Sequence, residues 1–234
     1  MTRLNLRVHP PKFIASWFPK AIWNINGDDK TVYLTFDDGP VPEITDFVLK
    51  VLKEENIKAT FFCVGENVFQ HPEIFQRIIE GGHVVGNHTY NHLQGLKTGN
   101  YEFFKNIEKA DRLINSNLFR PPHGWLTRQQ YRFLSIKYKI IMWDVISCDY
   151  DKKLSGESVV KNVLDFVRPG SIITFHDSKK AEQNLRFALP NIIKELKKQG
   201  YSFQNIEFEK IKNLYSHSII NKVLTIKKDR KETA

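Results

Sequence analysis

Asp37 and Asp38 stand side by side directly after the apolar run 31–36. Adjacent like charges repel, so a tandem pair needs a cation or separate tasks to relieve it. An Asp-Gly-Pro turn accounts for one aspartate here but not for two. Further along, His88 and His92 have the i, i+4 spacing that lets two imidazoles share one face of a helical turn and address one cation. A lone histidine is usually a surface or satisfied core residue; a spaced pair with a spare carboxylate is harder to dismiss. Two imidazoles and one carboxylate, with positions left open for water, make a set that can hold one metal cation. Either aspartate can complete the set, leaving its neighbour free as a base. Arg120 can hold that free carboxylate ionised and aimed through a charge-assisted hydrogen bond. His176, after the apolar run 171–175, reads as a third metal ligand or as a general acid. A nearby carboxylate would keep its imidazole protonated, and Asp149 and Asp144 are the candidates. Cys148 has no histidine beside it in sequence and reads as a buried thiol.

Such residues need a scaffold that delivers them to one place. Short β-rich runs at 31–36, 59–64, 83–86, 118–119, 140–143 and 171–175, with a weaker one at 201–203, alternate with helical patterns. The helical patterns cover 43–55, 72–80, 101–115, 127–137, 158–167 and 181–199. In the last, Leu185, Leu189, Ile192, Ile193 and Leu196 form one stripe, and Gly200 sits where a helix would end. Strand–helix alternation predicts a parallel sheet covered by helices. Six or seven such units fit an open doubly wound sheet or a closed barrel. The first run is followed by neither GxGxxG nor GxxxxGK[ST], so the glycine loops that cradle phosphates are missing. Instead, polar clusters follow five of the runs: Asp37 to Pro40, His88 to His92, Arg120 to Gly124, Asp144 to Tyr150, and His176 with Asp177. The C-terminal ends of strands are where barrel enzymes build their active sites.

The chain has 234 residues, 41% hydrophobic and 26% charged, which is the composition of an ordinary globular domain. Two cysteines, Cys63 and Cys148, are too few for a disulfide scaffold. The net charge is +9, and only part of it lies in residues 222–234, where five basic residues face two acidic ones. A solvated basic face explains this without a nucleic-acid partner. No apolar run reaches the roughly 18 residues of a membrane span. Pro10, Pro11 and Pro19 interrupt the N-terminal segment, which also lacks a compact apolar core and an A-x-A-like site. It therefore reads as having no secretory leader, which predicts a cytoplasmic or membrane-peripheral protein, with residues 13–23 as the segment for any membrane contact. The organisation expected is an N-terminal extension over 1–30 packing on the fold, a catalytic domain over 31–221 and a basic tail over 222–234.

The motifs resemble those of the polysaccharide deacetylases, the NodB-like carbohydrate esterases of family 4. TFDDGP is present whole at residues 35–40. HTYNH at 88–92 is similar to the family's H(S/T)xxH, RPPHG at 120–124 to its RxPxG, and TFHD at 174–177 to its LxHD. Order and spacing agree from about residue 31 to 203. The resemblance implies an α/β fold, a distorted (β/α) barrel of seven strands. It also implies zinc-type, metal-dependent removal of acetyl groups from N- or O-acetylated sugars of a glycan, by water activated at the metal, with Zn²⁺ the expected ion and Co²⁺ or another divalent transition metal the alternative. Carried over, Asp37 is the base, and Asp38, His88 and His92 are the metal ligands. Arg120 orients Asp37, and His176 is the general acid. The backbone amide of His123 would hold the oxyanion, with Tyr150 and Pro122 beside the substrate. The chain departs from the family's pattern at His123, usually an aromatic, at Tyr150, usually tryptophan, and at Ile146, often aspartate. Asp149 is therefore the first choice for tuning His176 and Asp144 the second.

Other readings compete. A two-histidine, one-carboxylate set also serves Fe(II) oxygenases, which usually sit on double-sheet β folds. A barrel with a degenerate site would bind glycan without cleaving it. Relatives that open formamides or cyclic imides make deacylation of another non-peptide C–N bond the alternative activity. Peptidoglycan, chitooligosaccharide, acetylated xylan and lipid-linked sugars all stay open as substrates, as does the oligomeric state.

Overall fold

The run TVYLTFD is rich in β-branched and aromatic residues and is continuously buried from Leu34 to its end, the pattern of a strand covered on both faces. It forms β1 (Thr31–Asp37), with Val32, Leu34 and Phe36 inaccessible, in a computed structural model that describes residues 7–25 and 29–207. The other strands are β2 (Thr60–Cys63), β3 (Val84–Asn87), β4 (Leu118–Phe119), β5 (Lys139–Ile140), β6 (Val145–Ile146), β7 (Ile172–His176) and β8 (Ser202–Gln204). All strand pairings are parallel, in the order β5-β4-β3-β2-β1-β7-β6, with short β8 added beside the start of β1. Seven parallel strands thus curl into a half-barrel. Helices α1 (Lys12–Ala15), α2 (Ile44–Glu54), α3 (Gly65–Gln70), α4 (Pro72–Glu80), α5 (Asn100–Ile114), α6 (Arg128–Lys137), α7 (Gly156–Leu164) and α8 (Glu182–Lys198) occupy the connections. None is long and apolar enough to cross a membrane.

Register places the chemistry. Asp37 lies level with His176 across the β1–β7 pair, and Asn87 level with Phe119 across β3–β4. The next residues along the latter two strands are His88 and Arg120, so four separate segments deliver their polar groups to one end of the sheet. Beneath them, Phe36 stacks between Phe61 and Phe175 at 5.0 and 5.9 Å. Helices α2 and α8 cover this core with buried stripes, Val48, Val51 and Leu52 on one and Leu185, Leu189, Ile192 and Ile193 on the other. At the end of α8, Gly200 adopts a φ of 80°, which a side chain would disfavour.

Two expectations change. The run 140–143 is not one strand. The chain leaves β5 at Ile140 and re-enters the sheet at Val145, on the opposite edge, as a strand the sequence reading did not identify. Five residues can span at most about 17 Å, so the two edges stand close. The weak run near 201–203 forms β8, off the main curl. Seven strands on the curl therefore arise from a different set of segments than anticipated.

The gap between the edges is crossed by the N-terminal segment. Ile22 donates to the Ile140 carbonyl at 2.8 Å and accepts from Met142 at 2.8 Å, Ile146 donates to the Val8 carbonyl at 2.9 Å, and Asn24 bridges to Ser171. Phe18 is buried with Leu126, Tyr131 and Met142. Residues 8–25 thus act as a seam in the wall. The expected boundary at 221–222 and the basic tail lie outside the described residues.

Candidate active site

Arg120 is wholly buried, which for a guanidinium demands that its donors be used. Four of the five are: Nη1 donates to Asp37 Oδ1 at 2.7 Å and Thr35 Oγ1 at 2.8 Å, Nη2 to the Met142 carbonyl at 2.8 Å, and Nε to the Ile141 carbonyl at 3.2 Å. Its plane lies 4.1 Å from the Phe62 ring centroid. Burial lowers the Arg120 pKa, and the Asp37 carboxylate opposes that by favouring the cation. The result is a fixed cation that aims one carboxylate, Asp37, which is 4% exposed at the end of β1.

Asp38 turns away from its neighbour because its backbone is left-handed, with φ 82°, and Asn67 Nδ2 pins its carbonyl at 2.7 Å. Its Oδ1 is buried and has no hydrogen-bond partner. That oxygen lies 3.3 Å from His92 Nε2 and 3.8 Å from His88 Nε2. His88 Nδ1 sits 2.7 Å from the Arg120 carbonyl, an arrangement that places its proton there and frees Nε2 as a lone-pair donor. Burial, with the neighbouring His92, holds the His88 pKa well below the ordinary value, so the imidazole is neutral as a ligand requires. One ligand atom each from Asp38, His88 and His92 fall within 4.8 Å of one another. An orphaned carboxylate oxygen facing two imidazole nitrogens fits a divalent ion. The two histidines do not share a helical turn, however. They sit on an irregular loop with Thr89 at φ 68° and His92 at φ 57°, because the chain must fold back sharply after β3 for both rings to face Asp38.

His176, at the end of β7, is not part of that cluster. Asp149 Oδ1 lies 2.7 Å from its Nδ1, and Asp149 Oδ2 accepts from its backbone N–H at 2.8 Å. Burial alone would lower the His176 pKa, but the charge and hydrogen bond of Asp149, aided by Asp38 and Asp37, push it up to about 9. The Tyr150 ring stands edge-on to the imidazole at 4.9 Å. Asp144, the second choice for this role, lies elsewhere: its amide donates to Ile172, at the far end of β7, and its carboxylate is taken by Arg168 and Ser171. His123 has φ 60° and its ring packs against His92 at 4.9 Å. Pro122, which has no N–H to offer, is buried at the head of the same short turn. Gly124, at φ 76°, lies against Trp143 so closely that a Cβ would strike its ring.

Two supporting residues, Asp177 and Asn67, had no role assigned from sequence. Asp177 accepts from the Gly39 amide at 3.0 Å and from Thr45 Oγ1 at 2.6 Å, clasping the turn that carries both aspartates. Its adjacency to His176 was the available signal. Burial pushes its pKa up to about 8, against the pull of the Thr45 hydrogen bond. Asn67, which orients Asp38, carried no signal of its own.

Comparison with known proteins now bears on this geometry. The family model for polysaccharide deacetylases matches residues 24–135. A peptidoglycan-N-acetylglucosamine deacetylase of Bacillus cereus is 36% identical over 198 residues, covering 80% of this chain and 72% of that protein. The chain belongs to the polysaccharide deacetylase family. The peptidoglycan-N-acetylmuramic acid deacetylase PdaA of Bacillus subtilis is 31% identical over 204 residues, covering 79% of this chain and 74% of its own. The crystal structure of the Bc1960 peptidoglycan N-acetylglucosamine deacetylase superposes with a TM-score of 0.77 at 33% identity, covering 84% of this chain and 94% of that one. In this polysaccharide deacetylase TFDDGP closes β1, HTYNH follows β3, RPPHG follows β4 and TFHD closes β7.

Proposed function

We propose that the chain is a metal-dependent hydrolase that removes the N-acetyl group from an aminosugar of a peptidoglycan-type glycan. The observation that carries this reading is the buried, unpartnered Asp38 oxygen facing two imidazoles, beside a separately clamped Asp37 and a proton-bearing His176. Asp38, His88 and His92 would hold the ion, with Zn²⁺ or Co²⁺ the first choices, and the ion when bound would supply a Lewis acid that polarises the acetyl carbonyl and acidifies water. Asp37, kept aimed by Arg120, takes a proton from the attacking water as the new C–O bond forms. The His123 amide donates to the oxygen that becomes negative. Asp149 holds the Nδ1 proton of His176, so Nε2–H faces outward and passes its proton to the departing nitrogen as the C–N bond breaks. Acetate and a free amine result; Asp37 gives its proton to solvent and His176 takes one back, which restores both groups. An acid at about 9 is charged at neutral pH, which suits an amine leaving group better than an alcohol. Names of relatives acting on N-acetylglucosamine and N-acetylmuramic acid in peptidoglycan support the substrate class.

The test is hydrolysis by purified protein, with and without added Zn²⁺ or Co²⁺, read as acetate released from N-acetylated glycans and O-acetylated xylan, formate released from a formamide, and ring opening of a cyclic imide. Metal-stimulated release from the N-acetylated glycans alone is expected. Turnover confined to the formamide or imide would replace this reading, and glycan binding without any turnover would make the chain a binding protein.

A further inference from the structure

Near Tyr150 lies an open cleft of about 740 Å³, between residues 152–157 after β6 and residues 179–187 at the start of α8. It is joined to the acid. Lys180 Nζ lies 5.3 Å from the centroid of the Tyr150 ring, which itself abuts His176. Buried Asn184, on the cleft wall, donates to the Asp149 carbonyl at 3.1 Å and the Asp151 carbonyl at 3.3 Å. Because His176 serves the nitrogen that leaves, and that nitrogen stays on the sugar, the cleft lies on the saccharide side of the scissile bond.

Its charge is one-sided. Lys152, Lys179 and Lys180 are all exposed on its rim. Two of the acids nearby are ion-paired, Glu182 with Arg186 at 2.8 Å and Asp151 with Arg7 at 3.4 Å; the third, Glu157, sits in the first turn of α7, so the three lysines outnumber it on the rim. Phe187 packs over Gly156 and, at 44% exposed, offers an apolar flank of the kind that pyranose C–H faces stack on.

We infer that this cleft is a subsite for a carboxylate-bearing sugar next to the one deacetylated, namely the ether carboxylate of a muramic acid residue that carries no stem peptide, so that the enzyme prefers an anionic glycan to a neutral one. The inference rests on the deacetylase reading above and names the substrate feature it selects. Three mobile lysines around an open cleft give screened, additive attraction, each a modest contribution.

The test uses the metal-loaded full chain and two probes: a tetrasaccharide of alternating N-acetylglucosamine and N-acetylmuramic acid without stem peptide, and its methyl ester. The wild type should favour the free acid over the ester by about tenfold in kcat/KM at about 0.02 M salt, and lose that preference near 0.5 M. The Lys152→Gln, Lys179→Gln, Lys180→Gln triple variant should lose about the same factor on the acid and none on the ester. Equal turnover of acid and ester by the wild type, or equal losses on both in the variant, would overturn the subsite. Dissociation constants for both probes, measured by titration calorimetry, separate the two readings. Absence of acetate from either probe removes the deacetylase reading, while tighter binding of the acid that the variant abolishes still supports the subsite. Equal binding of the two probes, or none, overturns it.

Discussion

Asp144 and Asp37 are both nearly inaccessible carboxylates held by an arginine, at opposite ends of the sheet. Arg168 grips Asp144 at 2.7 and 2.9 Å, Ser171 donates to it at 2.6 Å and Asn24 at 3.3 Å. Burial would raise the Asp144 pKa, yet the Arg168 and Ser171 hydrogen bonds win and lower it. Both its oxygens are occupied, and the cluster fastens β6, the residues before β7 and the N-terminal segment together. Asp37 shares Arg120 with only Thr35 and main-chain carbonyls, and its neighbour Asp38 keeps a buried oxygen with no hydrogen-bond partner. A saturated carboxylate is a clasp. One left with free lone pairs beside two imidazoles is costly to bury, and that cost marks the end of the barrel where chemistry is done.

Substitutions at the two ends should therefore fail in different currencies. His176→Ala should keep its metal yet lose about 10²–10⁴-fold in turnover of an N-acetylated glycan, and far less on an activated aryl acetate, whose leaving group needs little protonation. Equal losses on both substrates would remove His176 from the acid role. Asp149→Asn should act on pH. Without that charge the buried imidazole falls from about 9 toward or below its ordinary range, so the alkaline limb of kcat moves to lower pH. The sign for stability follows: a raised folded pKa means the His176–Asp149 pair stabilises fully below the ordinary histidine range and ceases to do so as pH passes about 9. The melting-temperature gap between wild type and Asp149→Asn should close over that window. Asp144→Asn should leave turnover per folded molecule unchanged and cost about 1–3 kcal/mol of stability in urea unfolding at neutral pH. Its carboxylate is depressed in the folded state, so the gap should persist above the ordinary carboxylate range and vanish as pH falls through the lowered value.

Much of the site was readable from sequence because short polar motifs follow apolar runs, and parallel register brings the ends of such runs together. That reasoning needs only strand direction, and it reached Asp37, Asp38, His88, His92, Arg120 and His176. It could not choose between Asp149 and Asp144, since that choice depends on where β6 begins. A two-residue strand after a four-residue crossing of the barrel mouth leaves no periodicity to detect. The i, i+4 histidines looked helical because spacing alone cannot report the positive φ of Thr89 and His92. Helix α3 was hidden for a related reason: six residues are too few for a stripe. The roles of Asp177 and Asn67 were invisible because both act through the backbone of another segment.

The central claim is that Asp38 is a metal ligand and Asp37 a base, despite their adjacency. Metal content per chain and turnover, each measured for Asp37→Asn and Asp38→Asn with and without excess Zn²⁺ or Co²⁺, test it most directly. Asp37→Asn should retain about one ion per chain, as an intact three-ligand site does, with turnover that added metal cannot restore. Asp38→Asn should lose the ion and regain part of its turnover when metal is supplied in excess. Rescue of Asp37→Asn and not of Asp38→Asn, or an Asp38→Asn protein that binds the ion as tightly as the wild type, would contradict the assignment.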